Sequence, residues 1–327
     1  MVAPMLKFSF EVEPIALRIN GQSALFRATL FASALKSRWG VAIGMSRIWM
    51  AANINSGSYD EGLCKEVSQA LSAEGHEMAR LIECPHEDLP DAATLRQAGV
   101  DALAVFGGDG TVNGAMRQAK GWDGHMLVLP GGTMNLLSRS LHGDVDSETI
   151  AQRYAQGRTK LARMPVAEGE GEIALVGVIA GPTTAWGDVR EDMRHFNLAD
   201  MPGSIAVAWT KTFGGAQVQL DGTGEPYPAL FIEPKMDALR ITGFTAEGAG
   251  QMFAHGLSWL RGDFREGPHE DLGMREALEV SAADGKPVGL LIDGEEAEGS
   301  ARCRFRHGLS PIDFVYTAEE CLANPDL

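Results

Sequence analysis

Apolar and polar residues follow one another along residues 45–145 in a repeating order of apolar run, polar turn and amphipathic stretch. Short apolar runs predict buried strands, and apolar residues at i, i+4 and i+8, as at Leu63, Val67 and Leu71, predict a helix. The predicted strands are 47–52, 78–82, 102–106 and 126–129, and the predicted helices are 63–71, 91–98, 134–141 and 147–156. Such alternation is typical of a doubly wound α/β fold, with a mostly parallel sheet and helices on both faces.

The pattern changes after residue 145 to short apolar or alternating runs separated by Gly and Pro. This spacing predicts a C-terminal β-sandwich, with one embedded helix at 246–260. The predicted strands are 173–178, 205–209, 229–232, 239–244, 277–280, 288–292, 303–306 and 312–315. We therefore predict an α/β domain over 45–145, a sandwich domain over 146–318 and a tail over 319–327.

Residues 1–44 precede the first clear strand and stay open to three interpretations. They form an extra hairpin or helix, an arm that touches a membrane, or an extension upstream of a natural start at Met45.

Three polar or glycine-rich turns follow predicted strands of the first domain: residues 53–58, 107–113 and 130–135. Because the carboxyl ends of parallel strands lie at one edge of a sheet, we expect the three turns to meet at one crevice. Glycine leaves backbone N–H groups open to a phosphate, and a helix that begins after the turn adds its positive end. The pattern predicts a nucleotide site.

Composition narrows the classes of partner. The formal net charge is −16, and no run of Lys and Arg offers a basic patch, which argues against a nucleic-acid partner. No apolar stretch approaches the roughly 20 residues that span a bilayer, so we expect a soluble or peripheral protein. The four scattered cysteines predict buried, reduced thiols and a cytoplasmic location.

The turns resemble motifs of the diacylglycerol kinase catalytic-domain family, which includes bacterial lipid kinases and the sphingosine and ceramide kinases. That family's Gly-Gly-Asp-Gly-Thr-x-Asn motif is intact at 107–113, its Pro-x-Gly-Thr-x-Asn motif at 130–135 and its Asp-Gly-Glu at 293–295. Its Asn-Pro-x-Ser-Gly turn appears at 53–57, with Ile54 in place of Pro. The resemblance runs from about residue 47 to residue 315.

The resemblance implies an NAD kinase/diacylglycerol kinase-like nucleotide-binding domain followed by a β-sandwich that binds the acceptor, with ATP between them. It places adenine and ribose near Asn53 and the phosphates on the glycine turns. The nucleotide-binding residues that it implies are Asn53, Asn55, Ser56, Gly57, Gly107, Gly108, Gly110, Thr111, Asn113, Gly132, Thr133 and Asn135.

Two carboxylates are candidates for the base that accepts the proton of the acceptor hydroxyl. The resemblance supports Glu295, from the acceptor side, and also Asp109, within the first glycine turn. We favour Glu295 as base, with Asp109 positioning metal or acceptor. Without the resemblance, Glu295 is an exposed acid of an Asp-Gly hairpin.

The resemblance also implies Mg²⁺. The ligand that it suggests is Asp237, in a segment where Ala238 replaces the family's Gly and Lys235 brings a competing cation. A plain surface turn is the other interpretation of this segment.

The function expected from these features is an ATP-dependent lipid kinase acting on diacylglycerol or a sphingoid-type alcohol, with transient contact at the inner face of the membrane. Two alternatives stay open. One is an NAD kinase-like enzyme with a soluble acceptor. The other is a nucleotide-binding sensor or scaffold without turnover, which the departures from the family pattern at Glu83, Met164 and Ala238 suggest. The sequence does not indicate the oligomeric state.

Overall fold

The computed structural model describes residues 45–132, 135–181, 217–244 and 269–318. In this part of the chain, four parallel strands form one side of a nine-stranded sheet, which we call sheet A. They are β1 (Arg47–Asn53), β2 (Glu77–Cys84), β3 (Ala102–Gly107) and β4 (His125–Pro130), in the spatial order β2-β1-β3-β4. The chain runs from β1 to β2 and returns to β3 on the other side of β1. Such a reversal opens a crevice beyond the carboxyl ends of the strands.

Helices cover both faces of these strands, as predicted. The described helices are α1 (Glu61–Leu71), α2 (Ala92–Gln97), α3 (Asp109–Gln118), α4 (Leu136–His142) and α5 (Ser147–Ala155). Alternate residues of a strand point to opposite faces. Val105 and Val128 pack in one apolar cluster with α2, α3 and α4, whereas Met50 and Phe106 pack in another with α1 and α5.

The rest of the described chain is β-structure. Its strands are β5 (Lys160–Gly169), β6 (Glu172–Ala174), β7 (Val178–Gly181), β8 (Val218–Leu220), β9 (Ala229–Pro234), β10 (Leu239–Phe244), β11 (His269–Arg275), β12 (Ala277–Ala282), β13 (Gly289–Ile292), β14 (Glu295–Glu298) and β15 (Arg302–Tyr316). Six of them form an antiparallel sheet, sheet B, in the order β11-β10-β9-β7-β13-β14. The other five extend sheet A, because β15 pairs with β4.

The two sheets pack against each other through a shared apolar cluster. Its members include Leu230, Ile232 and Leu290 from sheet B and Leu278, Val280 and Phe305 from sheet A. The predicted combination of a parallel α/β sheet and a sandwich is therefore confirmed. The boundary between domains at residues 145 and 146 stays a prediction.

Two predicted sets of strands differ from the structure. Separate strands were expected at 303–306 and 312–315, but β15 runs through both. β5 stays paired along it, and the Gly-Leu-Ser-Pro segment at 308–311 produces only a shift of register between Leu309 and Asp313. The single strand expected at 173–178 is instead two strands, β6 and β7. The strand is interrupted because the N–H groups of residues 175–177 donate hydrogen bonds to the carboxylate of Asp293 and not to a neighbouring strand.

Some predictions lie outside the described residues: the helix at 246–260, the strand at 205–209 and Thr133. Within the described ranges, no helix has the length and hydrophobicity of a membrane-spanning segment. Cys64, Cys84 and Cys303 are buried free thiols, as expected.

A cluster of buried polar side chains surrounds Tyr154 of α5, at the amino ends of the parallel strands and opposite the three turns. The Tyr154 hydroxyl is hydrogen-bonded to His125 Nε2 at 2.8 Å, and the rings of His76 and Tyr154 are 5.4 Å apart. Burial lowers the pKa of His125 to about 4, while the charges of Asp101 and Asp313 oppose this effect. The imidazole is therefore neutral at physiological pH.

Candidate functional site

The three predicted turns lie side by side at the carboxyl ends of β1, β3 and β4, which are neighbours in sheet A. Asn53 Nδ2 donates a hydrogen bond of 3.0 Å to Thr111 Oγ1 and so joins the first turn to the second. The N–H of Gly131 donates to the carbonyl of Gly107 at 3.1 Å and so joins the second turn to the third. The expected meeting of the turns at one crevice is therefore what the structure contains.

The first turn is organised by Asn53. Its Oδ1 accepts a hydrogen bond of 3.0 Å from the N–H of Asn55, and its carbonyl accepts one of 3.0 Å from the N–H of Ser56. Asn55 and Gly57 are exposed at the surface of the turn. Ser56 Oγ is buried and has no hydrogen-bond partner among the described residues.

The glycines allow the second and third turns to approach each other closely. A Cβ built on Gly131 would lie 2.8 Å from the nitrogen of Gly107, and one built on Gly132 would lie 2.7 Å from the Cα of Gly108. Backbone atoms cannot yield to such contacts as the end of a side chain can. The two turns therefore form one layer of backbone, and a side chain at Gly131 or Gly132 would separate them.

Asn135 holds the third turn in shape. It has a left-handed backbone with φ of 50° and precedes α4. Its Oδ1 accepts a hydrogen bond of 2.7 Å from the Gly132 N–H, and its Nδ2 donates one of 2.7 Å to the Gly132 carbonyl. These two contacts orient the loop around Gly132.

The second turn leads directly into α3. Gly108 is the N-cap residue of this helix, and as a glycine it has no side chain that could cap the first N–H groups. Asp109, Gly110 and Thr111 form the first turn of the helix. The N-terminus of a helix carries a partial positive charge and N–H groups without helical partners, which is the arrangement that binds phosphate.

Asp109 binds the neighbouring helix. Its Oδ1 accepts a hydrogen bond of 3.0 Å from the N–H of Leu137, and its Oδ2 accepts one of 3.2 Å from the N–H of Leu136, at the start of α4. Burial raises the pKa of Asp109 to about 6; the two hydrogen bonds oppose the rise and the charge of Asp293 adds to it. This carboxylate thus fixes the third turn relative to the second.

Glu295 reaches the glycine turn from sheet B. Asp293 and Gly294, with φ of 50° and 86°, form the two-residue turn between β13 and β14, and Glu295 follows as the first residue of β14. Positive φ at both positions is typical of a type I′ hairpin. A Cβ built on Gly110 would lie 2.9 Å from Glu295 Oε1 and 3.1 Å from Glu295 Cγ. The side chain of Glu295, 185 positions along the chain from Gly110, therefore packs on the N-terminal turn of α3.

Asn113, predicted to bind nucleotide, has its amide engaged with protein groups. Its Nδ2 donates a hydrogen bond of 2.6 Å to Asp293 Oδ2 and another of 2.6 Å to the carbonyl of Ile173. The side chain is buried, and its Oδ1 has no partner among the described residues. The contacts link α3 to the hairpin that carries Glu295.

Sequence reasoning missed Asp293. Its carboxylate accepts hydrogen bonds from the N–H groups of Leu175, Val176 and Gly177 as well as from Asn113. Burial raises the pKa of Asp293, and these hydrogen bonds oppose the rise. The sequence places Asp293 in the Asp-Gly-Glu motif and in a hairpin turn without assigning it a role, and nothing local in the sequence indicates that residues 175–177 surround it.

Asp237, the suggested metal ligand, is exposed in the turn between β9 and β10. The turn is closed by a hydrogen bond of 2.9 Å from the Lys235 N–H to the Ala238 carbonyl, and Lys235 Nζ lies 2.6 Å from Glu233 Oε1. Across the described ranges, no group of three or more His, Cys, Asp and Glu side chains is arranged to hold a metal ion.

Comparisons with known proteins agree with this geometry. Residues 47–166 match the family model of the diacylglycerol kinase catalytic domain. A search of curated proteins found no match. Two structures from Bacillus anthracis str. Sterne, each described as a "putative diacylglycerol kinase", have TM-scores of 0.56 and 0.54 at 16% identity. They cover 84% of this chain and are themselves covered over 97% and 98% of their length. A third, described as a diacylglycerol kinase from the same organism, has a TM-score of 0.53 at 16% identity, with coverages of 84% and 97%.

At this identity the structural likeness shows a shared fold. The family match spans β1 to β5 and includes the first, second and third turns. Over residues 47–166 this chain is therefore similar to the diacylglycerol kinase catalytic domain.

Proposed function

We propose that this protein transfers the terminal phosphoryl group of ATP to the hydroxyl group of a lipid. The observation that carries the proposal is the contact of Glu295 with Gly110. It sets an acid from sheet B against the helix N-terminus at which a phosphate would bind. A phosphoryl donor and a proton acceptor on adjoining surfaces are the two parts that this reaction needs.

The nucleotide would lie along the three turns. Its phosphates would accept hydrogen bonds from the N–H groups at the start of α3, from Gly108 to Thr111, where the N-cap residue is a glycine without a capping side chain. The adenine and ribose would lie near the Asn53 turn, within reach of the buried, unpartnered Ser56 hydroxyl. The third turn, with Gly132 and Thr133, would border the nucleotide on the side opposite the Asn53 turn.

Glu295 is the proposed general base. It is exposed, so an acceptor hydroxyl can approach its carboxylate, and it would take the hydroxyl proton as the oxygen attacks the terminal phosphorus. Asp109 fits a supporting role better, because each of its oxygens already accepts a hydrogen bond from α4. It would keep the phosphate-binding turns in register.

Magnesium would neutralise charge on the nucleotide phosphates in such a reaction. The described acidic residues form no three-ligand cluster, so we derive no step through the metal. Asp237 stays the ligand proposed from the family resemblance.

The acceptor is proposed to be a neutral lipid alcohol, such as diacylglycerol or a sphingoid-type alcohol, taken from a membrane surface at the cytoplasmic side. A net charge of −16 opposes attraction to anionic lipids. Contact with the membrane would therefore be hydrophobic and transient.

The test is incubation with ATP labelled at its terminal phosphate and a total lipid extract. We expect one labelled lipid with the wild type and a loss of about 100-fold or more with Glu295→Gln, which is the range for removal of a general base. The matched control is Glu296→Gln, the next residue of β14, whose side chain points to the opposite face of the strand. It should label the lipid at the wild-type rate.

Other outcomes would contradict the proposal in distinct ways. Label on NAD and on no lipid would support the NAD kinase-like alternative. ATP binding without transfer to lipid or NAD would support a nucleotide sensor or scaffold. Full activity in Glu295→Gln would remove Glu295 from the base role and favour Asp109.

A further inference from the structure

The hairpin that carries Glu295 is fastened by the buried carboxylate of Asp293. This carboxylate accepts four hydrogen bonds: 2.6 Å from Asn113 Nδ2, 2.8 Å from the Leu175 N–H, 2.8 Å from the Val176 N–H and 3.0 Å from the Gly177 N–H. Three successive backbone N–H groups turned toward one point form a small anion-binding concavity. Here the bound anion is a side chain of the protein itself.

This arrangement is costly, which argues that it has a purpose. A carboxylate loses hydration on burial and needs several donors to compensate for it. The left-handed backbone of Asp293, with φ of 50°, belongs to the type I′ turn, which does not itself require a buried carboxylate. In the turn at Asp284-Gly285, by contrast, the aspartate is exposed and pairs with Lys286.

Asp293 and Glu295 contact α3 at two points that match one helical turn. Asp293 meets Asn113, and Glu295 meets Gly110, three residues earlier on the same side of the helix. One contact would leave the hairpin free to pivot. Two contacts determine both the place and the direction of the Glu295 side chain.

We propose that Asp293 is a positioning residue, which docks the hairpin onto Asn113 and the 175–177 segment so that Glu295 lies on the glycine turn. The proposal rests on the proposed function for its consequence in catalysis. Its structural part, the placement of residue 295 beside residue 110, can be measured without turnover.

The structural test is a disulfide between cysteines at positions 110 and 295. A cysteine sulfur at 295 would stand where Glu295 Cγ stands, 3.1 Å from a Cβ built on Gly110, and the bond lengths of a disulfide require about 3 Å. Cys64, Cys84 and Cys303 are buried, and Cys321 is replaced by serine to exclude it. We expect the Gly110→Cys, Glu295→Cys pair to cross-link readily, and at least tenfold more slowly once Asp293→Asn is added.

The matched control is Asp284→Asn in the same cysteine pair, since Asp284 also precedes a glycine in a turn. It should leave the cross-linking rate unchanged. An equal rate in the Asp293→Asn background would overturn the positioning role, whether or not the protein proves to be a kinase.

The catalytic test compares kcat with nucleotide affinity. Asp293→Asn and the milder Asn113→Ala, which removes one of four donors, should lower kcat at least tenfold and leave the Kd for ADP within twofold. A merely structural defect would weaken ADP binding and lower kcat together. Thermal melting identifies any variant that fails to fold.

Exchange of the two residue types between positions 113 and 293 provides a rescue experiment. Asn113→Asp alone places two buried carboxylates 2.6 Å apart and should abolish transfer. Addition of Asp293→Asn restores one donor and one acceptor across the contact, so the double variant should be more active than Asn113→Asp alone. It should stay below the wild type, because residue 113 no longer donates to the Ile173 carbonyl. If the loss of activity in the double variant equals the product of the losses in the two single variants, the proposed contact is contradicted. Absence of transfer in the wild type would refute the kinase function, and the cross-linking rates would still decide the positioning role.

Discussion

Asn53 and Thr111, 58 positions apart, are joined by a hydrogen bond of 3.0 Å from the Asn53 amide to the Thr111 hydroxyl. Asn53 ends β1, and Thr111 lies in the first turn of α3 after β3. The bond spans the crevice at which the order of strands reverses. The proposed nucleotide site is thus braced by side chains without any ligand.

Thr111→Val tests this brace. Valine has the shape of threonine without the hydroxyl, so Asn53 loses its acceptor while packing is kept. We expect a loss of about 1 kcal/mol in the free energy of unfolding and, if the brace preorganises the site, a loss of about fivefold in ADP affinity. Thr111→Ser keeps the hydroxyl and should bind ADP as the wild type does. Equal behaviour of the two variants would show that the bond contributes nothing.

Gly132→Ala tests the contact between the second and third turns. The new Cβ would lie 2.7 Å from the Cα of Gly108, so the turns must separate. We expect a loss of about 1–3 kcal/mol in stability and loss of measurable ADP binding in titration calorimetry.

The control is Gly114→Ala, in the interior of α3, where the nearest atom to the new Cβ is Leu89 Cδ1 at an ordinary 3.5 Å. Alanine favours helix over glycine, so this variant should gain up to about 1 kcal/mol. Unimpaired ADP binding by Gly132→Ala would contradict the view that glycine is required there.

The sequence was sufficient for features that depend on neighbours along the chain. Apolar runs located β1, β3 and β4, and the glycine turns after them identified the crevice. The Asp-Gly pair predicted the hairpin before Glu295. Each of these signals reflects local backbone preference or periodic burial, which a single sequence carries.

Features that depend on distant partners could not be predicted. Asp109 seemed free to bind a metal or acceptor, because nothing near it in sequence shows that α4 presents two N–H groups to it. The 175–177 segment is apolar and suggested a strand, yet its N–H groups bind Asp293. In both cases a buried carboxylate overrides the local pattern.

Asp109→Asn tests the cost of burying that carboxylate. Because burial raises the pKa of Asp109 from 3.8 to about 6, the folded state favours the protonated form. Its contribution to stability is fully present below about pH 4 and is lost as the pH rises through 6. The difference between these pKa values corresponds to about 3 kcal/mol.

Asparagine cannot ionise, so the variant should lack this loss. Relative to the wild type, Asp109→Asn should therefore become more stable by about 1–1.5 kcal/mol between pH 5 and pH 8, as measured by urea unfolding. Other groups titrate alike in both proteins and cancel in the difference. A difference that is constant across this range would show that Asp109 is ionised at pH 5 in the folded state.

Tyr154→Phe tests whether the stability of the fold can change without a change in ADP binding. Tyr154 binds His125 at the start of β4, about 16 Å along the strand from the third turn, given about 3.3 Å per residue. Its loss leaves a buried imidazole nitrogen without its partner, which should cost about 1–3 kcal/mol, while the Kd for ADP should not change. Tyr227→Phe, which removes a hydrogen bond of 2.8 Å to the exposed Glu270, is the control and should cost less than about 1 kcal/mol. If Tyr154→Phe weakened ADP binding at a temperature where it is fully folded, the two ends of the parallel sheet would be coupled, and the site could not be treated as a property of the three turns alone.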